Sequence, residues 1–386
     1  MLGLLYNLII NKLRIMSAAE ILSNLVKFKT ITGTNPQEFS NCLDYIDNEM
    51  QKIPQWSYRE YNSKGFISRV YSHKNYIKQD IKDFDLYLYG NIDVVDGSDS
   101  LFQIREEGGK LFGRGTIDMK FGVAVSIDVI QNLTKKILEK PIAFIVTTDE
   151  ELGGINGAKY LVDEIGYKGK CVIGPNGLLD KEYFNLETSN KGTVHTKYTA
   201  IGKPSHGSRP WQGDNPLDRL IQMYLELNEN FNKGAKDKWD STINLGILKG
   251  GFATNAVPEE AFMQIDFRYV NQGQSEKYYE MESKLLNKYR IEKEPIVDAM
   301  NISVDKEHAL FKTYLSIAES IVGRNNIKEI RSEGSHDVRE FFKVGMLPII
   351  FTPRGSDHHT NNEWIQGKDL ETLKDINLKF ISQIFK

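Results

Sequence analysis

The sequence is poor in cysteine and in charge of one sign. Only two cysteines, Cys42 and Cys171, occur among the 386 residues. Two cysteines exclude a disulfide framework and a cysteine-rich zinc module, so we expect two reduced, largely buried thiols in a cytoplasmic protein. The formal net charge is −3, and blocks of like charge are absent. This balance argues against a nucleic-acid partner, which usually requires a basic face.

The chain also lacks a long apolar run. Residues 1–16, MLGLLYNLIINKLRIM, are interrupted by Asn7 and are too short to span a bilayer, so we expect no membrane partner. They also lack the leading positive charges and the cleavage site of a signal peptide. We interpret residues 1–15 as an extra N-terminal segment or the product of an upstream start codon, with a membrane anchor as the alternative. Ser17 followed by Glu20 predicts a capped helix directly afterwards.

A length of 386 residues favours two domains, and 40% hydrophobic with 26% charged residues is typical of a globular protein. In the first half, short β-rich runs alternate with helical patterns. The predicted strands are 85–90, 142–148 and 170–174, and the predicted helices are 119–140 and a segment from about 154. Strands separated by amphipathic helices predict an α/β sheet with helices on its faces.

The pattern changes near Lys191. A strand (GTVHTKYTAIG), a helix (NPLDRLIQMYLELNENF), two strands (STINLGIL and AFMQIDFRYV), a helix (SEKYYEMESKLLNKY) and a strand near 294–302 follow in order. The order β-α-β-β-α-β predicts a small ferredoxin-like domain. A strand at 346–352 and a helix at about 367–384 close the chain. We therefore predict an α/β domain in two parts, 16–187 and 298–386, around an inserted domain at 188–297.

Acidic and histidine clusters follow several predicted strands, where α/β enzymes place functional residues. Asp118, in RGTIDMK, precedes a helix and either caps it or binds a ligand. TTDEELGG (147–154) ends a strand with three consecutive acids, and SDHHTNNE (356–363) holds two adjacent histidines. Each cluster alone also fits a solvated loop or a structural role. Their order and spacing carry more information than any one of them.

Taken together, these motifs resemble the M20 family of metal-dependent deacylases, carboxypeptidases and dipeptidases, from about residue 17 to the C-terminus. The family patterns HxDVV, GRGxxDMKGG and a strand ending in EE are matched by NIDVV, GRGTIDMKFG and DEELGG. The lid-domain signatures are matched by GKPSHGSRPWQGDNP and GGFATNAVPEEAFMQIDFR, and the last ligand motif, H-x-x-x-E, by HTNNE. The resemblance implies a mixed-sheet, zinc-peptidase-like catalytic domain of the α/β class with an inserted ferredoxin-like α+β lid/dimerisation domain. It also implies a homodimer.

The resemblance further implies a metal site and a catalytic base. Asp118 matches the carboxylate that bridges two metal ions, and Glu151 and His359 match further ligands of one of them. Carboxylates with an imidazole suit Zn²⁺, Co²⁺ or Mn²⁺. Glu150 matches the general base that takes a proton from the attacking water and passes it to the leaving amine.

The resemblance implies that the inserted domain contributes three residues to substrate binding and catalysis. His206 matches the lid-domain histidine that stabilises the tetrahedral oxyanion, in the family often across a dimer interface. Asn255 and Arg268 match residues that hold the substrate, and Arg268 suits bidentate contact with a carboxylate. The alternative for Arg268 is a solvent-facing strand arginine. We expect it on a strand that ends beside the NAVP turn.

The chain departs from the family at the second metal. The family's metal-binding histidine is Asn91 here, although Asp93, which normally orients that imidazole, is present. In VIGPNG, Asn176 stands where the family has a Glu or Asp. Three readings follow: an enzyme with one tight metal and a weak or absent second, a former enzyme that binds without turnover, or asparagine oxygens that bind a harder ion such as Mn²⁺ or Ca²⁺.

The function implied by the resemblance is metal-dependent hydrolysis of an amide bond in an N-acyl amino acid or short peptide. The alternative is a catalytically impaired homologue that acts as a binding or scaffold protein. The residues do not choose among an N-succinyl-diaminopimelate desuccinylase, an N-acetylornithine-type deacylase and a carboxypeptidase. TNAVP in the lid looks more like the desuccinylase and carboxypeptidase branch.

Overall fold

A computed structural model describes residues 15–176, 181–232 and 238–386. The chain divides into two compact units. Unit 1 comprises the residues up to Thr188 together with Val304–Arg331 and His336–Lys386, and unit 2 comprises Ser189–Ser303 and Ser332–Ser335. Residues 1–14, on which the expectation of an extra N-terminal segment rests, lie outside the described residues. Among the described residues, no helix combines the length and apolar character needed to cross a membrane.

Up to Asn190, the described residues form eight strands and six α-helices. The strands are β1 (Trp56–Ser63), β2 (Phe66–His73), β3 (Asp83–Asn91), β4 (Arg105–Glu107), β5 (Lys110–Phe112), β6 (Ile142–Thr147), β7 (Lys168–Ile173) and β8 (Phe184–Asn190). The helices are α1 (Ala18–Leu25), α2 (Pro36–Met50), α3 (Lys74–Lys78), α4 (Lys120–Asn132), α5 (Lys135–Leu138) and α6 (Ala158–Asp163).

The remaining elements belong to unit 2 and to the C-terminal part of the chain. Unit 2 contains β9 (Gly192–Ile201), β10 (Ser205–His206), α7 (Pro216–Phe231), β11 (Thr242–Gly250), β12 (Ala256–Val257), β13 (Glu260–Tyr269), α8 (Gln272–Tyr289) and β14 (Glu292–Ala299). After it come α9 (Ala309–Val322), β15 (Ile327–Ser332), α10 (Val338–Lys343), β16 (Leu347–Thr352), β17 (Gly355–Ser356), β18 (Trp364–Gln366) and α11 (Gly367–Ile384).

Unit 1 is built on an eight-stranded mixed sheet with the order β1-β2-β6-β3-β7-β16-β8-β15. Its centre, β6-β3-β7-β16, is parallel, whereas β1, β2 and β8 pair antiparallel with their neighbours. Every residue of β6 is buried, as expected for a central strand covered on both faces. The four shortest strands form a second sheet in the order β17-β18-β5-β4. The predicted α/β class with a mixed sheet is confirmed.

Unit 2 has the predicted β-α-β-β-α-β order in β9, α7, β11, β13, α8 and β14. Its four strands form an antiparallel sheet with the order β11-β13-β9-β14, which is the ferredoxin-like arrangement. The helices and the sheet enclose a core in which the rings of Phe267 and Tyr278 stack with centroids 4.0 Å apart. The predicted ferredoxin-like fold is therefore confirmed.

Local sequence signals account for several helix ends. The predicted cap of α1 is confirmed, because Ser17 and Glu20 form a capping box with each other's backbone. The predicted helix 119–140 is two helices, since Leu133 adopts an extended conformation after α4. The helix expected from about 154 begins only at Ala158, because Gly153 and Gly154 have φ values of +90° and +65°, a left-handed conformation that ends a helix. Both cysteines are buried and free, as predicted.

Candidate metal centre and active site

Two of the predicted site segments of unit 1 follow the carboxyl ends of the neighbouring strands β3 and β6. Asn91 is the last residue of β3 and pairs with Thr147, the last residue of β6. The chain then turns into a short 3-10 helix, Glu150–Leu152, which carries two of the three consecutive acids. Open α/β sheets bind ligands at this edge of the strands, so the topology places these side chains where function is expected.

Three side chains meet in a cluster that has the composition of a metal site. One ligand atom from each of Asp118, Glu151 and His359 lies within 4.8 Å of the others. His359 Nε2 is 3.1 Å from Asp118 Oδ2 and 3.4 Å from Glu151 Oε1. The two carboxylates come from the turn before α4 and the turn after β6, and the histidine comes from the loop between β17 and β18. The fold thus brings together residues that are far apart in sequence.

The donor set fits a divalent transition metal. Hydrogen bonds to Asp118 and Glu151 raise the pKa of His359 to about 10, so that an imidazolium balances the two carboxylates. A metal ion held by the same three groups would replace that proton, because metal binding requires the neutral imidazole. The adjacent His358 is half-buried, and burial lowers its pKa. Of the two adjacent histidines, His359 alone belongs to the cluster.

Glu363, the last residue of the HTNNE motif, holds the backbone around Asp118. Glu363 is fully buried and accepts the backbone N–H groups of Ile117 and Asp118 at 3.0 and 3.2 Å. The Nη1 atom of Arg114, also buried, lies 2.6 Å from Glu363 Oε2. Glu363 therefore ties the turn that carries Asp118 to the loop that carries His359. The capping role weighed for Asp118 is wrong, because Met119 is the N-cap residue of α4 and no side chain caps that helix.

Asp93 connects the altered ligand position to the metal cluster. It is fully buried, and burial raises its pKa to about 8. Its Oδ1 accepts the Asn91 amide N–H at 3.0 Å, and its Oδ2 accepts the backbone N–H of Glu151 at 2.9 Å. The Asp93 carboxylate thus positions both the side chain of Asn91, which replaces the family's histidine, and the backbone of Glu151, a predicted metal ligand.

Glu150 has the environment of a general base. Burial raises its pKa well above the ordinary value, and the nearby carboxylates of Asp337, Asp118 and Asp93 raise it further. A raised pKa increases the proton affinity of the carboxyl group, which favours the uptake of a proton that a general base must perform.

The turn after Glu151 is supported by residues from the C-terminal part of the chain. Arg339 Nη2 donates to the carbonyl oxygen of Gly153 at 2.6 Å. A Cβ atom on Gly154 would lie 1.9 Å from Asp337 Oδ1, so only glycine allows the turn to approach that carboxylate so closely. Sequence reasoning missed Arg339 and Asp337, because nothing near them in sequence indicates contact with the turn.

In unit 2, His206 and Asn255 lie together. The two-residue strand of His206 pairs with β12, so that His206 stands opposite Ala256, directly after Asn255. Both side chains are exposed. His206 Nδ1 accepts the Ser208 backbone N–H at 3.2 Å and lies 2.8 Å from the Ser208 hydroxyl oxygen, so both contacts orient the ring.

Arg268 is not brought together with these two residues. The expected placement of Arg268 beside the NAVP turn is wrong, because that turn precedes β13 and Arg268 lies near the other end of the strand. Eight residues of strand after Glu260 correspond to about 26 Å. Arg268 Nε and Nη2 pair with Asp266 at 2.7 and 3.2 Å, and Nη1 donates to Thr193 at 2.7 Å. Much of its hydrogen-bonding capacity is therefore used within unit 2.

Asn176 follows the end of β7, at the same edge of the sheet as Asn91. The Leu88–Ile173 pair is the last in the parallel register of β3 with β7, and both asparagines come three residues after it. The backbone of Asn176 is held by Thr352, whose hydroxyl donates to the Asn176 carbonyl oxygen at 2.6 Å. Asn91 and Asn176, the two altered ligand positions, therefore both lie at the carboxyl-terminal edge of the sheet, after the neighbouring strands β3 and β7.

Comparisons with known proteins agree with this architecture. The sequence profile of the peptidase family M20/M25/M40 matches residues 87–383. A probable succinyl-diaminopimelate desuccinylase of Staphylococcus aureus is 26% identical over 414 aligned positions that cover 95% of each chain. A tripeptidase structure from Staphylococcus aureus superposes with a TM-score of 0.73 at 18% identity, covering 96% of this chain and 98% of the other. An M20 family metallo-carboxypeptidase from Sulfolobus solfataricus gives 0.70 at 18% identity, covering 94% and 98%.

Proposed function

This chain belongs to peptidase family M20/M25/M40 and is therefore a hydrolase of amide or peptide bonds, and we propose that it acts as a metal-dependent deacylase or peptidase on an N-acyl amino acid or a short peptide. The observation that carries the proposal is the cluster of Asp118, Glu151 and His359, whose ligand atoms lie within 4.8 Å of one another. Three protein ligands with an open position are sufficient for a catalytic metal.

We assign one tight metal to this cluster, with zinc as the expected ion and cobalt or manganese as substitutes. When bound, such an ion polarises the scissile carbonyl group and makes water a stronger nucleophile. Glu363 and Arg114 hold the backbone of Asp118 in place. Asp93 holds the backbone of Glu151. Hydrogen bonds to their backbone therefore hold both ligand residues, Asp118 and Glu151, in position, as the ligands of a catalytic metal require.

Glu150 is the proposed general base. It takes the proton of the attacking water and delivers it to the nitrogen of the leaving amine, so that one carboxyl group acts first as base and then as acid. The raised pKa of Glu150 suits both steps, because a higher proton affinity helps the carboxylate take the proton from water, and the resulting carboxylic acid can return it to the amine.

We propose unit 1 as the catalytic domain and unit 2 as a lid and dimerisation domain. His206 would stabilise the oxyanion, with Asn255 and Arg268 holding the substrate. Since His206 and Arg268 lie towards opposite ends of the unit 2 sheet, about 26 Å of strand apart or more, one copy of unit 2 does not deliver both to one substrate. In a homodimer, one copy of unit 2 can supply Arg268 and the second copy can supply His206 to the same substrate.

The edge of the unit 2 sheet offers a surface for that dimer. β11 is an edge strand on which Ile247 and Leu248 are 36% and 38% exposed. The opposite edge, β14, also exposes an apolar residue, Ile296, but it begins with charged residues and contains Pro295, features that discourage pairing. We therefore place the self-association on the β11 side.

The substrate class rests on the relatives. The similar chains include desuccinylases of N-succinyl-diaminopimelate, a tripeptidase and a metallo-carboxypeptidase. All of these names describe hydrolysis of an amide bond in an amino-acid derivative or peptide. An N-succinyl or N-acetyl amino acid and a di- or tripeptide are therefore the substrates to test first.

The test is a metal-reconstitution assay. The protein is stripped with a chelator, reloaded separately with Zn²⁺, Co²⁺ and Mn²⁺, and assayed for amine release from N-succinyl and N-acetyl amino acids, dipeptides and tripeptides. We expect no turnover in the stripped protein and restored turnover of at least one substrate with one metal equivalent. His359→Ala should lose both the metal and turnover.

The matched control is His358→Ala, which removes the neighbouring imidazole outside the cluster and should keep the metal. Metal binding without turnover of any substrate would contradict the proposed activity and favour the binding-protein alternative. Turnover that is unaffected by the chelator and by His359→Ala would contradict the metal dependence.

A further inference from the structure

The side-chain amide of Asn91 makes the same kind of hydrogen bond to Asp93 that a metal-binding imidazole would make. A metal-binding histidine commonly donates one ring N–H to a carboxylate and turns its other nitrogen to the ion. Asn91 donates its amide N–H to Asp93 Oδ1 at 3.0 Å and to the Asp93 backbone carbonyl oxygen at 3.3 Å. The donor side of the amide is therefore used in the same way as the donor nitrogen of the imidazole.

The other side of that amide is an acceptor without a donor. Asn91 is 1% exposed, and within the described part of the chain its Oδ1 has no hydrogen-bond partner. A buried polar atom left unpaired costs about 1–3 kcal/mol, so such an atom calls for a ligand. Rotating the amide would turn its oxygen towards the backbone carbonyl oxygen of Asp93, an acceptor facing an acceptor, so the orientation with Oδ1 away from Asp93 is preferred.

We infer that Asn91 is an oxygen ligand for a second metal ion, a hard divalent cation of the Mn²⁺ or Mg²⁺ type. This inference rests on the proposed function, in which a first metal is bound by Asp118, Glu151 and His359. An amide oxygen is a neutral, hard donor, and such ions prefer carboxylate, carbonyl and water oxygens, whereas zinc prefers imidazole. Asn176, which comes three residues after the last β7 residue paired with β3, just as Asn91 comes three residues after the last paired residue of β3, would supply a second amide oxygen. Asp118, whose Oδ2 lies 3.1 Å from His359 Nε2, would supply its other carboxylate oxygen.

The two metal positions would then differ in kind. The cluster with His359 selects a transition metal tightly, and the position with Asn91 takes a hard ion more weakly. Two asparagines at the ligand positions of one metal, with the other ligand set intact, therefore change which ion is preferred.

The test counts ions directly. Metal-free protein receives one equivalent of Zn²⁺, and Mn²⁺ is then titrated while the spectrum of free Mn²⁺ is followed by electron paramagnetic resonance. We expect one further Mn²⁺ per chain, more weakly held than the zinc. In Asn91→Leu this Mn²⁺ should bind at least about tenfold more weakly, with the zinc equivalent unchanged. Asn91→His keeps the donor to Asp93 and should shift the second position from Mn²⁺ towards a second Zn²⁺.

The matched control is Asn377→Leu. Asn377 is also buried, at 4% exposed, but it lies on α11, where its Oδ1 accepts the Tyr314 hydroxyl at 2.8 Å. This variant should bind both ions as the wild type does. If Asn91→Leu does not fold, Asn91→His still tests the inference, because it should bind a second Zn²⁺ in place of Mn²⁺.

Two results would overturn the inference while leaving the proposed function intact. One is a wild-type protein that binds zinc but no Mn²⁺ beyond it, and the other is equal Mn²⁺ binding in the wild type and Asn91→Leu. Failure to bind even the first zinc equivalent would instead contradict the proposed metal-dependent function.

Discussion

The Tyr89 hydroxyl donates to Asp337 Oδ2 across 2.7 Å, although the two residues are 248 positions apart in the chain. Tyr89 is the third residue from the end of β3, and Asp337 directly precedes α10. The same hydroxyl lies 2.8 Å from Thr147 Oγ1, at the end of β6. Because Asp337 also touches Gly154, this contact links the strand of Asn91 to the turn that follows Glu151.

Tyr89→Phe should weaken both the fold and the metal centre. The ring and its packing against Phe341 are kept, but the buried Asp337 carboxylate loses its hydroxyl donor. We expect the free energy of unfolding to fall by about 1–3 kcal/mol. We also expect weaker zinc binding, because the turn that carries Glu151 rests on Asp337. Denaturant unfolding and a competition assay with a chelator measure the two effects.

Tyr314→Phe is the control for this change. Its hydroxyl is also buried and donates to Asn377 at 2.8 Å, in another part of unit 1. It should lower stability without altering zinc affinity. Equal zinc affinity in Tyr89→Phe and the wild type would show that Asp337 does not position the turn.

Glu150→Gln should abolish turnover while the metal stays bound. The amide is almost the same size as the carboxyl group but accepts no proton, and loss of a general base costs about 10²–10⁴-fold in rate. Glu151→Gln is the paired variant and should lose the metal as well as turnover. Steady-state kinetics and elemental analysis separate the two. More than about a tenth of the wild-type kcat in Glu150→Gln would contradict its assignment, given that magnitude.

Subunits with different defects should restore each other's activity. If a second copy of unit 2 supplies His206, then mixing inactive His206→Ala with inactive Glu150→Gln subunits creates sites in which both residues are intact. Light scattering should report a dimer, and the mixture should recover part of the activity that neither variant has alone. A fully active monomer would rule out this arrangement.

The surface that forms the dimer can be tested separately. Leu248→Glu places a charge on the β11 edge and should shift the protein towards a monomer. Ile321→Glu is the control, because Ile321 on α9 of unit 1 is 38% exposed, as Leu248 is. Dissociation by Ile321→Glu but not by Leu248→Glu would move the interface to another surface.

Arg268→Lys should reduce the preference for substrates with a free carboxylate. Lysine keeps the charge but loses the planar fork that binds a carboxylate through two hydrogen bonds. The pairing of Arg268 with Asp266 means that the variant also loses internal contacts, so stability alone does not decide the role. The informative quantity is the ratio of kcat/KM for an acid substrate to that for its carboxamide. A ratio that is unchanged in Arg268→Lys would assign the arginine a structural role.

Much of the fold could be predicted because its signals are local. Ser17 and Glu20 form the predicted cap, and α11 has the predicted bounds, since capping and helical periodicity act over a few residues. The strands β1 and β2 were missed. Both are at one side of the sheet, and their partly exposed residues give a weaker apolar pattern than that of β6.

The sequence by itself determined the family, the α/β class with its ferredoxin-like insertion, and the order of acidic and histidine motifs after the strands. Only the tertiary structure decided that Glu363 holds the backbone of Asp118, that Asp337 supports the turn after Glu151, and that Arg268 lies near the end of β13 remote from the NAVP turn, opposite which His206 pairs. A motif records which side chains follow which element, and local physics suffices to interpret it. Contacts between residues hundreds of positions apart depend on how the sheet is ordered and how loops pack over its edge, and no local pattern contains that information.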